Sequence, residues 1–219
     1  MKKITAIRAQ SRLRRHLGER VNIFLDEEFA FALDAEVARK FELRIGKYLT
    51  PEELAALEAE DGTAKALAKA INFLGYRPRS SHEIRERLKR DEEWGEETIT
   101  RVLEKLAALN LVEDRAFAQN WIESRSRSKP RGSRALRQEL RQKGVGREDI
   151  ESALQAAVPD DAAEIENALA ALQSKARQWA SLEGREREQK MLGFLQRRGF
   201  SFGVGKAAIK KLDELGEDE

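Results

Sequence analysis

The chain repeats itself at a period of just over fifty residues, which restricts it to a string of small, similar folding units. Ile84 and Leu88 return 52 residues later as Leu136 and Leu140, and Arg77-Pro78-Arg79-Ser80-Ser81 returns at the same offset as Lys129-Pro130-Arg131-Gly132-Ser133. Ile99 and Leu103 return 51 residues on as Ile150 and Leu154. A further 55 residues along, Leu140, Gly144, Val145 and Leu154 match Leu195, Gly199, Phe200 and Ile209. Repeats of this length mark an array of supersecondary units that bury their apolar faces by stacking on neighbours.

Each copy holds three apolar segments at helical spacing. The first has Leu67/Ile71/Leu74, Ile84/Leu88 and Ile99/Leu103/Leu106; the second has Phe117/Trp121, Leu136/Leu140 and Ile150/Leu154. The third has Leu169/Leu172/Trp179, Met191/Leu195 and Ile209/Leu212. Steps of three, four and seven put each set on one helix face. Helix starts are legible as well. Thr50-Pro51-Glu52-Glu53, Ser80-Ser81-His82-Glu83 and Asp161-Ala162-Ala163-Glu164 all read as capping boxes. Gly144 and Gly199 read as matching glycines that end helices.

The first fifty residues follow another rule. Val21, Ile23 and Leu25, then Phe29, Phe31 and Leu33, alternate with polar residues on either side of Asp26-Glu27-Glu28, the signature of a β-hairpin. Thr5, Ile7 and Ala9 suggest a weaker third strand. A hairpin is marginal alone, so it is expected to lean on the helices that follow. The expected fold is mainly α: three tandem three-helix repeats forming an elongated or curved body, preceded by an N-terminal β-hairpin. The boundaries are residues 1–49 for the hairpin extension, 50–62 for a linker helix, 63–112, 113–158 and 160–215 for the repeats, and 216–219 for an acidic tail.

Composition fits amphipathic helices with a large wetted surface: 41% of residues are hydrophobic and 37% charged. With 41 basic against 39 acidic residues, net charge announces no partner, and placement decides. The absence of cysteine removes disulfides and thiolate metal sites. The basic N-terminal stretch, with Arg8, Arg12, Arg14 and Arg15, lacks the apolar core of a secretion signal, and no run reaches membrane-spanning length. A cytoplasmic protein that touches no membrane is expected.

No catalytic constellation is evident. The histidines are His16 and His82, the latter reading as an exposed first-turn residue. Gly199, Gly203 and Gly205 lie near Lys206 without phosphate-loop spacing. The acidic clusters Asp91-Glu92-Glu93, Glu96-Glu97 and Glu217-Asp218-Glu219 read as helix ends or tail rather than cation loops. Trp94, Trp121 and Trp179 read as packing residues. No enzyme, metal or cofactor is expected.

The informative charges are basic. On the helix carrying Leu136 and Leu140, Arg134, Arg137 and Arg141 form a stripe away from the apolar face; Arg85 and Lys89 hold the equivalent places of Arg137 and Arg141 one copy earlier. Arg77 and Arg79 precede one helix, and Arg125, Arg127, Lys129 and Arg131 precede the other. From 125 to 147 nine basic residues face Glu139 alone. In the third copy Leu192 and Gln196 replace the stripe. Recurrence of the stripe in two copies points to an anionic, repetitive partner: a polynucleotide backbone, an acidic protein groove, or both.

Tyr76-Arg77-Pro78-Arg79-Ser80 with Glu83 and Leu88, Phe117-Ala118-x-x-Trp121, Lys129-Pro130-Arg131-Gly132 and Glu139-Leu140-x-x-Lys143-Gly144-Val145 resemble the signatures of the RecX family. The likeness covers nearly the whole chain in order and is loosest in the third copy, where Gly203-Val204-Gly205 replaces a more helical stretch. The resemblance implies tandem three-helix modules that bind the groove of RecA filaments on single-stranded DNA. It also implies restraint of filament growth and of strand exchange, ATPase and co-protease activity, within recombination control, DNA repair and the SOS response. The implied partners are the RecA filament and single-stranded DNA, with double-stranded DNA as a further one, bound by a monomer. Tyr76 either packs under its loop or makes contact, and Ser80, Pro130 and Gly132 are as readily structural as contacting. Two rivals stay open: a stand-alone DNA-binding protein built from helix-turn-helix-like modules, and a helical-repeat adaptor for another acidic partner.

Overall fold

The structure is a computed structural model and describes residues 1–10, 19–90, 94–179 and 181–217. It divides into two compact units, Met1–Val112 and Glu113–Glu219. His16, Arg12, Arg14 and Arg15, the cluster Asp91-Glu92-Glu93 and the last two residues of the acidic tail lie outside the described residues.

The first unit opens with more than a hairpin. Strands β1 (Lys2–Ala9), β2 (Arg20–Leu25), β3 (Glu28–Asp34) and β4 (Tyr48–Leu49) form one antiparallel sheet in the order β3-β2-β1-β4, with helix α1 (Ala35–Lys40) between the last two. The β2–β3 turn has only two central residues, Asp26 and Glu27, at φ 51° and 73°, so Glu28 already belongs to β3. Positive φ at both positions matches strand twist but normally calls for Asn-Gly. Here the turn is tied to β1: the Lys3 amide donates to Asp26 Oδ1 (3.1 Å) and the Glu27 amide to Thr5 Oγ1 (2.9 Å). Thr5 sits at a bulge, between the pairs Ile4–Leu25 and Ala6–Phe24, and its hydroxyl also donates to the Phe24 carbonyl (3.2 Å).

One sheet face packs on helices. Ile4, Ile23, Leu25, Leu33 and Leu49 are buried with Val37 of α1 and Leu57 of α2 (Pro51–Leu74). Thr50 and Glu53 form the expected capping box at the start of α2. This helix runs unbroken through residues 62 and 63, so one rod joins the sheet to the first three-helix module. Its second half places Ala66 and Ala70 in a core with Ile84 and Leu88 of α3 (Ser81–Lys89) and Ile99, Val102 and Leu106 of α4 (Glu96–Ala108). Asp61, buried at mid-rod, accepts from both terminal nitrogens of Arg20 (3.1 and 3.2 Å) and from the Asp34 amide (2.8 Å), and pairs with Lys65 (3.0 Å).

The second unit holds the other two modules. Helices α5 (Asp114–Ser128), α6 (Ser133–Gln142) and α7 (Arg147–Ala157) enclose Phe117, Ile122, Leu136, Leu140, Ile150 and Leu154. Then α8 (Asp161–Gln173), the single turn α9 (Ala176–Trp179), α10 (Gly184–Arg197) and α11 (Phe202–Glu217) enclose Leu172, Trp179, Met191, Leu195, Phe200 and Ile209. Trp179 therefore belongs to a separate turn, not to the helix of Leu169 and Leu172; its indole N–H reaches back to the Leu172 carbonyl (3.2 Å). Gly203 to Gly205 are helical, and Gly205 gives Leu192 and Leu195 room to pack close to α11. The cap of α8 is Asp160, one residue before the expected Asp161, because Asp160 Oδ1 accepts from the Ala163 amide (2.8 Å). That releases Glu164, whose Oε1 instead accepts from the Ser133 amide (2.8 Å) and supplies the cap that Gly132 cannot give α6.

Modules two and three also meet through bare backbone. The Gly132 amide donates to the Arg198 carbonyl (3.0 Å), and Arg198 Nη1 donates to the Pro130 carbonyl (3.2 Å). A Cβ on Gly132 would lie 2.4 Å from the Gly199 carbonyl oxygen, and one on Gly199 2.4 Å from the Ala135 Cβ. Gly144 and Gly199, at φ 73° and 88°, end α6 and α10 as the repeat alignment predicts.

Candidate functional site

The predicted cations fall into two separate groups, one in each compact unit, each on the second helix of its own module and the loop that feeds it. In module one Ser80 and Glu83 form the predicted capping box, and Arg77 closes on Glu83 through two hydrogen bonds (2.7 and 3.1 Å). The Arg79 guanidinium lies 3.9 Å from the centroid of Phe73, itself packed against the module core. Burial and the neighbouring Arg77 charge push the Arg79 guanidinium down from its ordinary value, with Glu83 opposing. Tyr76 is 79% exposed, a correction to the packed reading and a gain for the contact one. Arg85 and Lys89 both pair with Glu96 at the start of α4, Lys89 at 2.6 Å. Glu96 is held below its ordinary value, first by the hydrogen bond from Lys89.

Module two gathers its loop arginines around one acid. Glu139 accepts from the Trp121 indole (2.8 Å) and Arg125 Nε (2.8 Å) and pairs with Arg131 (2.8 Å). Arg125 and Lys143 stand over the Trp121 ring, which is stacked on Phe117. Arg127 pairs with Glu123 one turn back. On α6, Leu136 and Leu140 are buried as the spacing requires, but the outer stripe is not uniform. Arg137 is held by two hydrogen bonds from its Nε and Nη2 to Glu151 of α7 (2.8 and 3.1 Å). That bond raises Arg137 and lowers Glu151 from their ordinary values. Arg134 and Arg141 are exposed and have no ion pair among the described residues; the same holds for Lys129 in the loop.

Seven of the eleven predicted cations, Arg77, Arg85, Lys89, Arg125, Arg127, Arg131 and Arg137, are thus paired within their own module. Arg79 is stacked, and Arg134, Arg141 and Lys129 are exposed with no ion pair among the described residues, Arg141 acting on Glu151 only at longer range. Solvent-exposed pairs contribute about 0–1 kcal/mol each, so an external anion displaces one at little cost. The arrangement around Glu139, by contrast, is built in and fixes loop geometry.

Sequence reading missed Arg198 and Glu164, which join modules two and three. Arg198 was findable at the 55-residue offset from Lys143: both stand over an aromatic ring, Trp121 and Phe194. In module three Leu192 packs against the core, which explains why no stripe forms there. His82 is exposed in the first turn of α3. Among the described residues no acid or histidine group could hold a metal ion, and no helix is long and apolar enough to cross a membrane.

A sheet leading into three small three-helix modules in series defines a modular, mainly helical protein. Four family domains match the chain in order: the regulatory protein RecX N-terminal domain over residues 2–50, and the first, second and third RecX three-helix domains over 66–106, 114–154 and 162–209. The chain belongs to the RecX family. It is 34% identical to the regulatory protein RecX of Bacillus licheniformis, covering 98% of this chain and 79% of that protein. It is 32% identical to that of Bacillus subtilis, covering 92% and 75%. A crystal structure of a regulatory protein RecX superposes with TM-score 0.78 at 31% identity, over 96% of this chain and 100% of that one. The RecX structure from Lactobacillus salivarius shares the fold, with TM-score 0.62 at 24% identity, over 70% of this chain and 98% of that one.

Proposed function

We propose that this protein is a non-catalytic regulator that binds the RecA–single-stranded DNA filament and restrains its growth, and with it strand exchange, ATP hydrolysis and co-protease activity. The observation that carries the reading is the exposure of Arg134 and Arg141 on α6, with no ion pair to either among the described residues, in a chain whose relatives are RecX regulatory proteins. A filament presents the same anionic groove again and again. Several modules on one chain convert weak contacts into avidity when each engages a neighbouring site. The contacting units in this reading are the modules at 63–112, 113–158 and 160–215.

Purified protein added to preformed RecA filaments on single-stranded DNA tests the reading, with ATP hydrolysis followed and binding to bare DNA measured alongside. Loss of hydrolysis at concentrations too low to occupy bare DNA is the expected result. Inhibition that appears only once bare DNA saturates would replace filament binding with competition for DNA. Absence of any effect would move the reading to an adaptor for another acidic partner.

A further inference from the structure

We propose that the outward face of the N-terminal sheet is a stacking platform for unpaired bases of single-stranded DNA. An antiparallel sheet with one face on its core normally offers polar side chains on the other. Here α1 and α2 pack on the inner face, while Phe24, Phe29 and Tyr48 take outward positions on β2, β3 and β4. Phe29 is 59% and Tyr48 56% exposed. Phe24 and Phe29 meet edge to face with centroids 5.9 Å apart. Phe24 faces out because Ile23 and Leu25 on either side are buried, Tyr48 because its neighbour Leu49 is buried, and the extra residue Ala30 in β3 sets Phe29 opposite Phe24 on the same face.

The cations on this face accompany the rings. The Arg8 guanidinium stands 4.8 Å from the Phe24 centroid, and Lys3 Nζ stands 6.0 Å from that of Tyr48. Two of the neighbouring acids are engaged by backbone amides: Asp26 accepts from Lys3 and Asp34 caps α1, while Glu27 and Glu28 lie at the β2–β3 turn. Exposed rings with positive charge between them suit a ligand with π-faces and a phosphate backbone. Phe29 and Tyr48 lie on strands three spacings apart, about 14 Å, which a few unstacked nucleotides can span. The site is independent of the filament reading, because it acts on bare DNA and uses no residue of α6.

The test measures binding of fluorescein-labelled oligo(dT) to the full chain without RecA, with a hairpin duplex for comparison. Phe29→Ser combined with Tyr48→Ser changes only exposed rings, and thermal melting checks that the variant folds. Affinity for oligo(dT) should fall by about tenfold or more, as expected for lost base stacking. Tyr48→Phe should retain it, and Arg8→Glu should weaken it. Bromodeoxyuridine oligonucleotides should cross-link to the peptides holding Phe24, Phe29 or Tyr48. Unchanged affinity in the folded double variant would overturn the proposal, as would cross-links confined to other peptides or a wild-type chain that ignores oligo(dT). A double variant that binds oligo(dT) normally but fails to inhibit filaments would reassign the face to protein docking. Loss of inhibition on altering α6, with oligo(dT) binding intact, leaves the sheet site standing.

Discussion

Gly132 and Gly199 meet backbone to backbone, so close that neither has room for a single methyl group. The two glycines hold different places in the repeat: Gly132 precedes the second helix of one module, and Gly199 ends the second helix of the next. It fixes how α6 enters its module, because the Gly132 amide is spent on Arg198 and the Ser133 amide on Glu164. The helix that carries Arg134 and Arg141 is therefore aimed by module three, which has no basic stripe of its own.

Alanine at either glycine should separate the two modules. Overpacking alone costs about 1–3 kcal/mol, and Gly199 adds the strain of its positive φ, about 1–2 kcal/mol. Gly199→Ala is expected to lower the denaturant midpoint more than Gly132→Ala. Amide exchange at Ser133 should accelerate in both.

Gly62→Ala should act in the opposite direction. Gly62 lies inside α2, and a methyl group placed on it would meet nothing within 4 Å. The substitution should stabilise the first unit by about 0.5–1 kcal/mol through helix propensity, read as a higher midpoint in urea.

Asp61 makes the first unit acid-sensitive. Burial raises its carboxyl, but hydrogen bonds from Arg20, Lys65 and the Asp34 amide outweigh that and leave it below its ordinary value. A depressed folded value contributes stability above the unfolded value, about 3.9, and loses it as pH falls through the folded one. Asp61→Asn should cost about 3 kcal/mol at neutral pH by leaving Arg20 unmatched. The gap between variant and wild type should narrow as pH drops below that range, in melts recorded across pH.

Reversing Arg134 and Arg141 together should weaken filament inhibition by roughly tenfold or more, the scale of losing two charge contacts, with the melting temperature unchanged. Arg137→Ala should cost at most about 1 kcal/mol of stability, since its pair with Glu151 is partly exposed, and should leave inhibition less affected. Equal loss in both variants would assign the effect to the fold of α6 and not to its open charges.

Local chemistry made much of this fold legible. Thr50 with Glu53 and Ser80 with Glu83 announce helix starts because the partners are three residues apart. The paired leucines of each module announce its core because helical spacing is short-range. What escaped depends on distance along the chain. Strand β4 is two residues long and has no room for alternation. Glu96 and Glu151 neutralise Arg85 and Arg137 from 11 and 14 residues away, so counting acids within the basic stretches overstated their free charge. Tyr76 faces out while Arg79 lies over Phe73, a pairing invisible in the motif itself.

Helix α2 belongs to two cores, with Leu57 in the sheet's and Ala66 and Ala70 in the first module's. Its length therefore sets a phase as well as a distance. One inserted residue between Asp61 and Ala66 would lengthen the rod by only about 1.5 Å but rotate one core against the other by about 100°. Nearly two full turns, about seven residues, would restore the phase. A lineage of such chains can extend this rod only in near-whole turns, so gaps in alignments across it should come in quantised lengths while surface loops vary freely.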